Sequence, residues 1–202
     1  MHLANEYRAG LVGPDHIRQL AAAAAEAATA IKQGWHTAWI PAGAMTPRLT
    51  SGAAPGLVET ATNRLVLSTL DFDTAVSEYA QFTIAMPKSW DRGPVKFQYL
   101  WTAASGSGGV CLTLQAVSIS DDDPLDVDRA PGAALTDTLL AANDLHVSAI
   151  SGNLTVNGSP AVGDLTVFEV RRDVGDPADT LAVDAKLIGI RLLFNVNAGT
   201  DA

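Results

Sequence analysis

Five carboxylates fall within eight residues at the end of Ser118-Ile119-Ser120-Asp121-Asp122-Asp123-Pro124-Leu125-Asp126-Val127-Asp128, the densest charge in the chain. Such a set can serve as a calcium loop, a catalytic carboxylate pair or a solvated turn. A calcium loop needs oxygen donors at alternating positions, a glycine at the sharp bend and a distal bidentate glutamate. Asp121, Asp123 and Asp126 miss that spacing, Pro124 stands where the glycine belongs, and no glutamate follows at the right offset. These three are candidates only for a looser calcium site, and calcium is the one cofactor the sequence admits. A catalytic pair needs surroundings that drive two carboxyl pKa values apart, which an exposed loop does not supply. Asp-Asp-Pro is ordinary turn chemistry, since short side chains accept from nearby backbone N–H groups and Pro presets φ. The expectation is an acidic turn.

Nucleophilic chemistry has little to build on. The histidines are His2, His16, His36 and His146, and only His146 has triad-type neighbours, Asp144 and Ser148. A triad is assembled in space and is not recognised by sequence proximity. His146 falls between Leu145 and Val147, on the expected outward parity of its strand. There is no Gly-x-Ser-x-Gly elbow and no His-Glu-x-x-His pair. Gly106, Gly108 and Gly109 lack the Lys-Ser/Thr and the following helix of a phosphate loop, so they read as a flexible hairpin connection. The chain is not expected to be an enzyme. For sugar binding, the best aromatic is Trp90, set in the charged turn Pro87-Lys88-Ser89-Trp90-Asp91-Arg92. It is the candidate glycan contact, against the plainer role of capping one end of the fold. Tyr99 and Trp101 have the parity of core residues.

These residues must be positioned by a chain of 202 residues, 48% hydrophobic and only 17% charged, with a net charge of −9. That is enough apolar material for a core, with so few charges that part of the surface is expected to be covered in an assembly. The acidic balance and the lack of a Lys/Arg cluster exclude a phosphate-backbone binder, so no nucleic acid is expected. Cys111 is the only cysteine, which rules out an intrachain disulfide and a multi-cysteine zinc site. It reads as a small core residue. The N-terminus lacks a signal-peptide pattern and the Ala-rich run 21–30 is too short and weakly apolar to span a bilayer, so synthesis in the cytoplasm and no membrane partner are expected.

The elements follow from periodicity. Residues 14–33 predict a helix: Pro14 and Asp15 suit its start, Gly34 its end, and Ile17, Leu20, Ala24, Ala28 and Ile31 recur at three- and four-residue spacing. That thin face is the candidate assembly surface, and residues 1–34 are assigned to docking or oligomerisation. Residues 35–64 read as an extended, irregular connector, rich in Pro, Gly, Ala, Ser and Thr from 41 onward. From 65 to 202 the period is two, as in Val95-Lys96-Phe97-Gln98-Tyr99-Leu100-Trp101. Strands are predicted at 65–70, 82–86, 95–101, 110–119, 145–150, 165–171 and 187–194, with a bulge near Ala116 where the apolar parity changes. Ala134–Asn143 reads as a helical turn or crossing segment. Seven or eight strands with Gly- and Asn-rich turns predict a mainly β fold, an antiparallel jelly-roll-like sandwich behind an N-terminal Ala-rich helix and arm.

Three stretches carry a resemblance: IPAGAMTPRLTSGAAPGLVET, LDFDTAVSEYAQFTIAMPKSWDRGPVKFQYLWTAASGSGGVCLTLQAVSISDDD and DTLLAANDLHVSAISGNLTVNGSP. From about Trp39 to Ala202 the chain resembles small virion proteins of tailed phages, prophages and gene-transfer-agent-like particles, largely of alphaproteobacteria. None of these stretches is a catalytic motif. The resemblance implies a non-enzymatic subunit of a head-attached spike, decoration or fibre base, resident in the virion. Its partners would be copies of itself, as trimer or pentamer, and capsid or other virion proteins gripped by the N-terminal arm. The alternative is a module that binds host surface glycans, which is compatible with a place on a spike.

Overall fold

A computed structural model describes residues 13–32, 34–129, 131–199 and 201. The arm 1–12 assigned to docking, and with it His2, lies outside the described residues, as do the side chains of Ala28 and Ile31.

The helix is present as α1, Pro14–Lys32. Gly13 supplies the carbonyl for the first turn, accepting from His16 N at 2.9 Å and Ile17 N at 3.1 Å. Asp15 in that turn faces the positive end of the helix dipole. The side chains described along α1 are all exposed, including Ile17, Leu20 and Ala24. Of the apolar face read from the sequence, Ile17, Leu20 and Ala24 are not buried on the chain's own body.

Behind it, two antiparallel sheets face each other. The larger contains β1 (Gly34–Pro41), β3 (Ala54–Glu59), β4 (Val66–Phe72), β6 (Lys96–Thr102), β9 (His146–Val147) and β11 (Ala185–Val196), in the order β3-β4-β11-β6-β9. On the flank of β11 shared with β4, β1 pairs with the C-terminal part, from Gly34↔Val196 to Pro41↔Gly189. The smaller sheet has the order β2-β5-β10-β7-β8, from β2 (Thr46–Pro47), β5 (Tyr79–Ala85), β10 (Leu165–Arg172), β7 (Gly108–Ile119) and β8 (Ala133–Leu139). Successive strands cross from one sheet to the other, apart from the hairpin neighbours β3-β4 and β7-β8. That is the jelly-roll-like sandwich expected from the turn spacing.

The core lies between the sheets. Phe97, Tyr99 and Trp101 point inward from β6 and meet Phe168, Leu112 and Leu114. At one edge the Trp101 indole donates to Asp137 Oδ2 at 2.8 Å, tying β6 to β8 across the sandwich. Nearby Arg172, wholly buried, reaches the Asp179 carboxylate and the carbonyls of Phe72, Val183 and Leu181. A guanidinium has five donors in a fixed fork and tolerates burial only when they are spent. Here they clamp the long connection before β11 onto the fold.

Several expectations are corrected. Residues 35–64 are extended but not an irregular connector, because β1, β2 and β3 insert into both sheets and only the segments between them are irregular. Ala134–Asn143 is not helical, since its first half is β8, paired to β7 from Gly108↔Leu139 to Leu114↔Ala133. No bulge occurs at Ala116, where the β7–β10 register is continuous. Val117 sits on the outer face and is still covered, because Asn157 bridges beside it; burial on both faces of β7 produced the change of parity. The register shift is in β11, between Leu187 and Gly189.

Candidate functional site

The acidic stretch folds as a turn. Asp123 accepts from Ser120 N at 2.9 Å through its carboxylate and donates to Ser120 O at 3.2 Å through its backbone N–H. Asp122 takes a positive φ of 65°, which short polar residues tolerate. The stretch is anchored by Asp164, which accepts from Ser118 Oγ, Ser120 Oγ and Ala161 N at 3.1, 2.8 and 2.7 Å. Burial pushes the Asp164 carboxyl up, and these three donors more than offset it, so it is held below the usual carboxylate range. Among the described residues no group of three or more His, Cys, Asp or Glu is placed to hold a metal ion, and Asp121, Asp123 and Asp126 do not converge on one.

His146 does not face outward. It is buried against Trp101, with ring centroids 5.2 Å apart. Its Nε2 accepts from Leu140 N at 2.9 Å and Ala141 N at 3.3 Å, so Nδ1 carries the proton toward Asp144 O at 3.0 Å. Ser148 Oγ accepts from Tyr99 N and donates to Ala149 O. The three triad types thus serve a turn and a strand end, and no nucleophile meets a base. The glycine connection is pinned and not flexible: Gly109 O accepts from Thr180 N and Leu181 N at 2.8 and 2.9 Å. Gly108 has φ 119°, with Thr180 where a Cβ would stand.

Trp90 is the main correction. It is only 2% exposed, packed in the core, with its backbone bridged to Val196. The ring closes one end of the sandwich and cannot serve as a sugar platform. Its charged neighbours made the turn look exposed, yet Asp91 N donates to Asn195 O at 3.0 Å and draws the segment onto β11.

An aromatic surface does exist, on the outer face of the larger sheet. Strand parity places Trp35, Thr37 and Trp39 outward on β1, while Ala38 and Ile40 point in. Trp39 and Trp35 are 47% and 50% exposed. Four residues of strand separate their Cα atoms by about 13 Å. The benzene half of the Trp39 indole lies across Gly189, where a Cβ would sit 2.4 Å from it. Gly189 follows the β11 register shift, so the irregularity clears the floor on which the ring rests. Beside Trp39 in the same row stand Arg191 and then Gln98, joined at 2.9 Å from Arg191 Nη1 to Gln98 Oε1. Gln98 is itself held, donating through Nε2 to Ser148 O at 2.6 Å. In the next row are Thr37, Leu193 and Lys96, and Lys96 Nζ lies 4.9 Å from the Trp35 ring centroid. Asn195, paired with Trp35, donates to Asp91 Oδ2 at 3.0 Å.

The outer face of the smaller sheet is polar but closed. Glu169, 3% exposed, accepts from Gln81 Nε2 at 2.7 Å and pairs with Arg129 at 3.2 Å and Arg48 at 3.9 Å. Arg48 also covers the Tyr79 ring at 4.3 Å. The charges there answer one another, and the one aromatic face is taken. Among the described residues, the Trp39 side offers an open ring flanked by planar polar side chains.

The sequence held a signal for this site. In Trp35-His36-Thr37-Ala38-Trp39-Ile40 the two tryptophans stand four residues apart, and strand parity puts both on one face. Reading 35–64 as a connector hid it. The Gly189 floor had no local signal, because the contact spans two strands.

No family model matches the chain, and no curated protein does. Among solved structures, the chain is similar to the CBM22-2 xylan-binding domain of Paenibacillus barcinonensis Xyn10C, at 11% identity over 78% of this chain and 97% of that one, with a TM-score of 0.46. A family 11 carbohydrate-binding module from Clostridium thermocellum, in complex with a mixed-linked tetrasaccharide, is 8% identical over 84% and 91%, with a TM-score of 0.40. The CBM22-1 xylan-binding domain of Xyn10C is 11% identical over 76% and 86%, at 0.43.

Proposed function

We propose that this chain is a non-catalytic carbohydrate-binding module that lays a glycan across the outer face of its larger sheet. The observation that carries this reading is the Trp39 indole, seated on Gly189 with about half its surface open and flanked by the Arg191–Gln98 pair. An open aromatic ring offers an apolar face to the C–H face of a sugar, while planar side chains alongside it take the hydroxyl groups. Trp35, with Lys96 over its ring, marks the edge of the platform along the strand. A titration of glycans followed by calorimetry and tryptophan emission tests it. Trp39→Ala is expected to weaken binding at least tenfold, about 1.4 kcal/mol, with the fold intact. Binding unchanged in Trp39→Ala overturns the site.

A second role, compatible with the first, is that of an assembly subunit of a phage or gene-transfer-agent-like particle. It is supported by the exposed apolar face of α1 and by apolar side chains on both flanks of the sandwich. Leu57, Leu65 and Val66 lie exposed along the β3–β4 edge, and Leu140, Leu145 and Val147 along the β8–β9 edge. Opposite edges of this kind suit a head-to-tail ring of copies. The glycan module would then be displayed in several copies on a spike. The mass of the purified protein by light scattering tests it: a closed homo-oligomer is expected, and a monomer at micromolar concentration contradicts it.

A further inference from the structure

Resting on the carbohydrate-binding reading, we propose that the platform selects acidic glycans, those whose sugars carry carboxylates. The charge on this face is opposite to that of the chain. The protein carries 13 basic and 22 acidic residues, for a net charge of −9. Two of those 13 cations, Lys96 and Arg191, stand beside the tryptophans, and among the described residues neither is paired with a carboxylate. By contrast, Arg48, Arg64, Arg129, Arg171, Arg172 and Lys186 each have an acidic partner. Lys186 lies on the same outer face and is neutralised by Asp71. Asp91, held against Asn195 beside Trp35, is engaged by Gly93 N at 2.7 Å and by Asn195 Nδ2.

Arg191 has one N–H spent on Gln98 Oε1, which holds the guanidinium in place beside the Trp39 ring. Its remaining donors suit a carboxylate bidentately, the geometry in which arginine exceeds lysine. A neutral sugar stacked on Trp39 would leave both cations unanswered, whereas a uronate or sialate would supply the missing anion at the edge of the ring. The chain as a whole is acidic, so a polyanion is drawn to it only where cations reach solvent, and this patch sets two of them beside an open indole.

The test uses the full-length protein and polysaccharides in matched pairs: polygalacturonate, alginate and polysialate, each beside the same polymer with its carboxyls reduced to alcohols. Dextran sulfate is the sulfated control. The expected result is that at least one acidic polymer binds tenfold or more tightly than its reduced partner. Arg191→Met should weaken the acidic polymer far more than its reduced partner and so erase that difference, and Trp39→Ala should remove binding to both. If both members of each pair bind equally and Trp39→Ala abolishes it, the platform stands and acid selection is overturned. If dextran sulfate binds as tightly as the carboxylated polymers, charge alone replaces carboxylate recognition and the stated class is overturned. If no member of any pair binds, and neutral glycans also fail, both readings fall together.

Discussion

Trp90 and Trp39 are the same residue type with opposite work, and the difference lies in what surrounds each ring. Trp90 is buried at the end of the core, so Trp90→Ala is expected to cost about 3–5 kcal/mol of stability in urea unfolding while folded protein still binds glycan. Trp39→Ala should do the reverse. Cys111 offers a check on the core. Burial pushes its thiol up to about 11, so it should resist alkylation at pH 8 until the protein is unfolded, and rapid native-state labelling would contradict the packing of β7. Asp164 gives the pH dependence a sign. Its carboxyl is depressed in the fold, so it adds stability above its ordinary pKa of about 4, and that contribution is lost as the pH falls through its lower folded value. Asp164→Asn should therefore lower stability at pH 7 and flatten the acid limb of stability against pH. An unchanged limb would contradict the role of its three donors.

Strands with one buried face were legible because the alternation is imposed by the core. Phe97, Tyr99 and Trp101 on β6, and Ile190, Leu192 and Phe194 on β11, were set by parity alone. What was not legible depended on contacts between elements. β7 lost its alternation because loops cover its outer face. β1 was hidden by its position after a helix and before a Pro- and Gly-rich stretch, and because its exposed tryptophans break the apolar alternation that a strand with one buried face shows. His146 seemed outward because β9 is only two residues long, too short for parity to decide. The platform belongs to this scale too. β1 carries the rings, the β11 register shift brings Gly189 beneath one of them, and β6 supplies Gln98 and Lys96. Gly189→Ala would put a methyl group within 2.6 Å of Ile40 O and closer still to the indole. It is expected to tilt Trp39 off its floor and weaken glycan binding at least tenfold, and a crystal structure of the variant would show the ring displaced. An unmoved ring with full affinity would mean that the glycine floor is unimportant.

At the scale of the molecule, a jelly-roll-like sandwich leaves function open, since the same fold serves many tasks. The surface narrows the choice. Low charge, exposed apolar side chains on the helix and apolar flanks suit the proposed assembly, while one sheet face keeps an open indole and two cations with no carboxylate partner among the described residues. The two proposed uses would occupy different parts of the surface, so removing residues 1–32 should disturb assembly and leave glycan affinity in place. The most direct measurement of the central claim is calorimetric titration of a glycan panel into wild-type protein and Trp39→Ala side by side. Saturable binding by the wild type, weakened at least tenfold in the variant, is the result this account predicts. A wild type that binds no glycan, or a variant that binds as well as its parent, would contradict it.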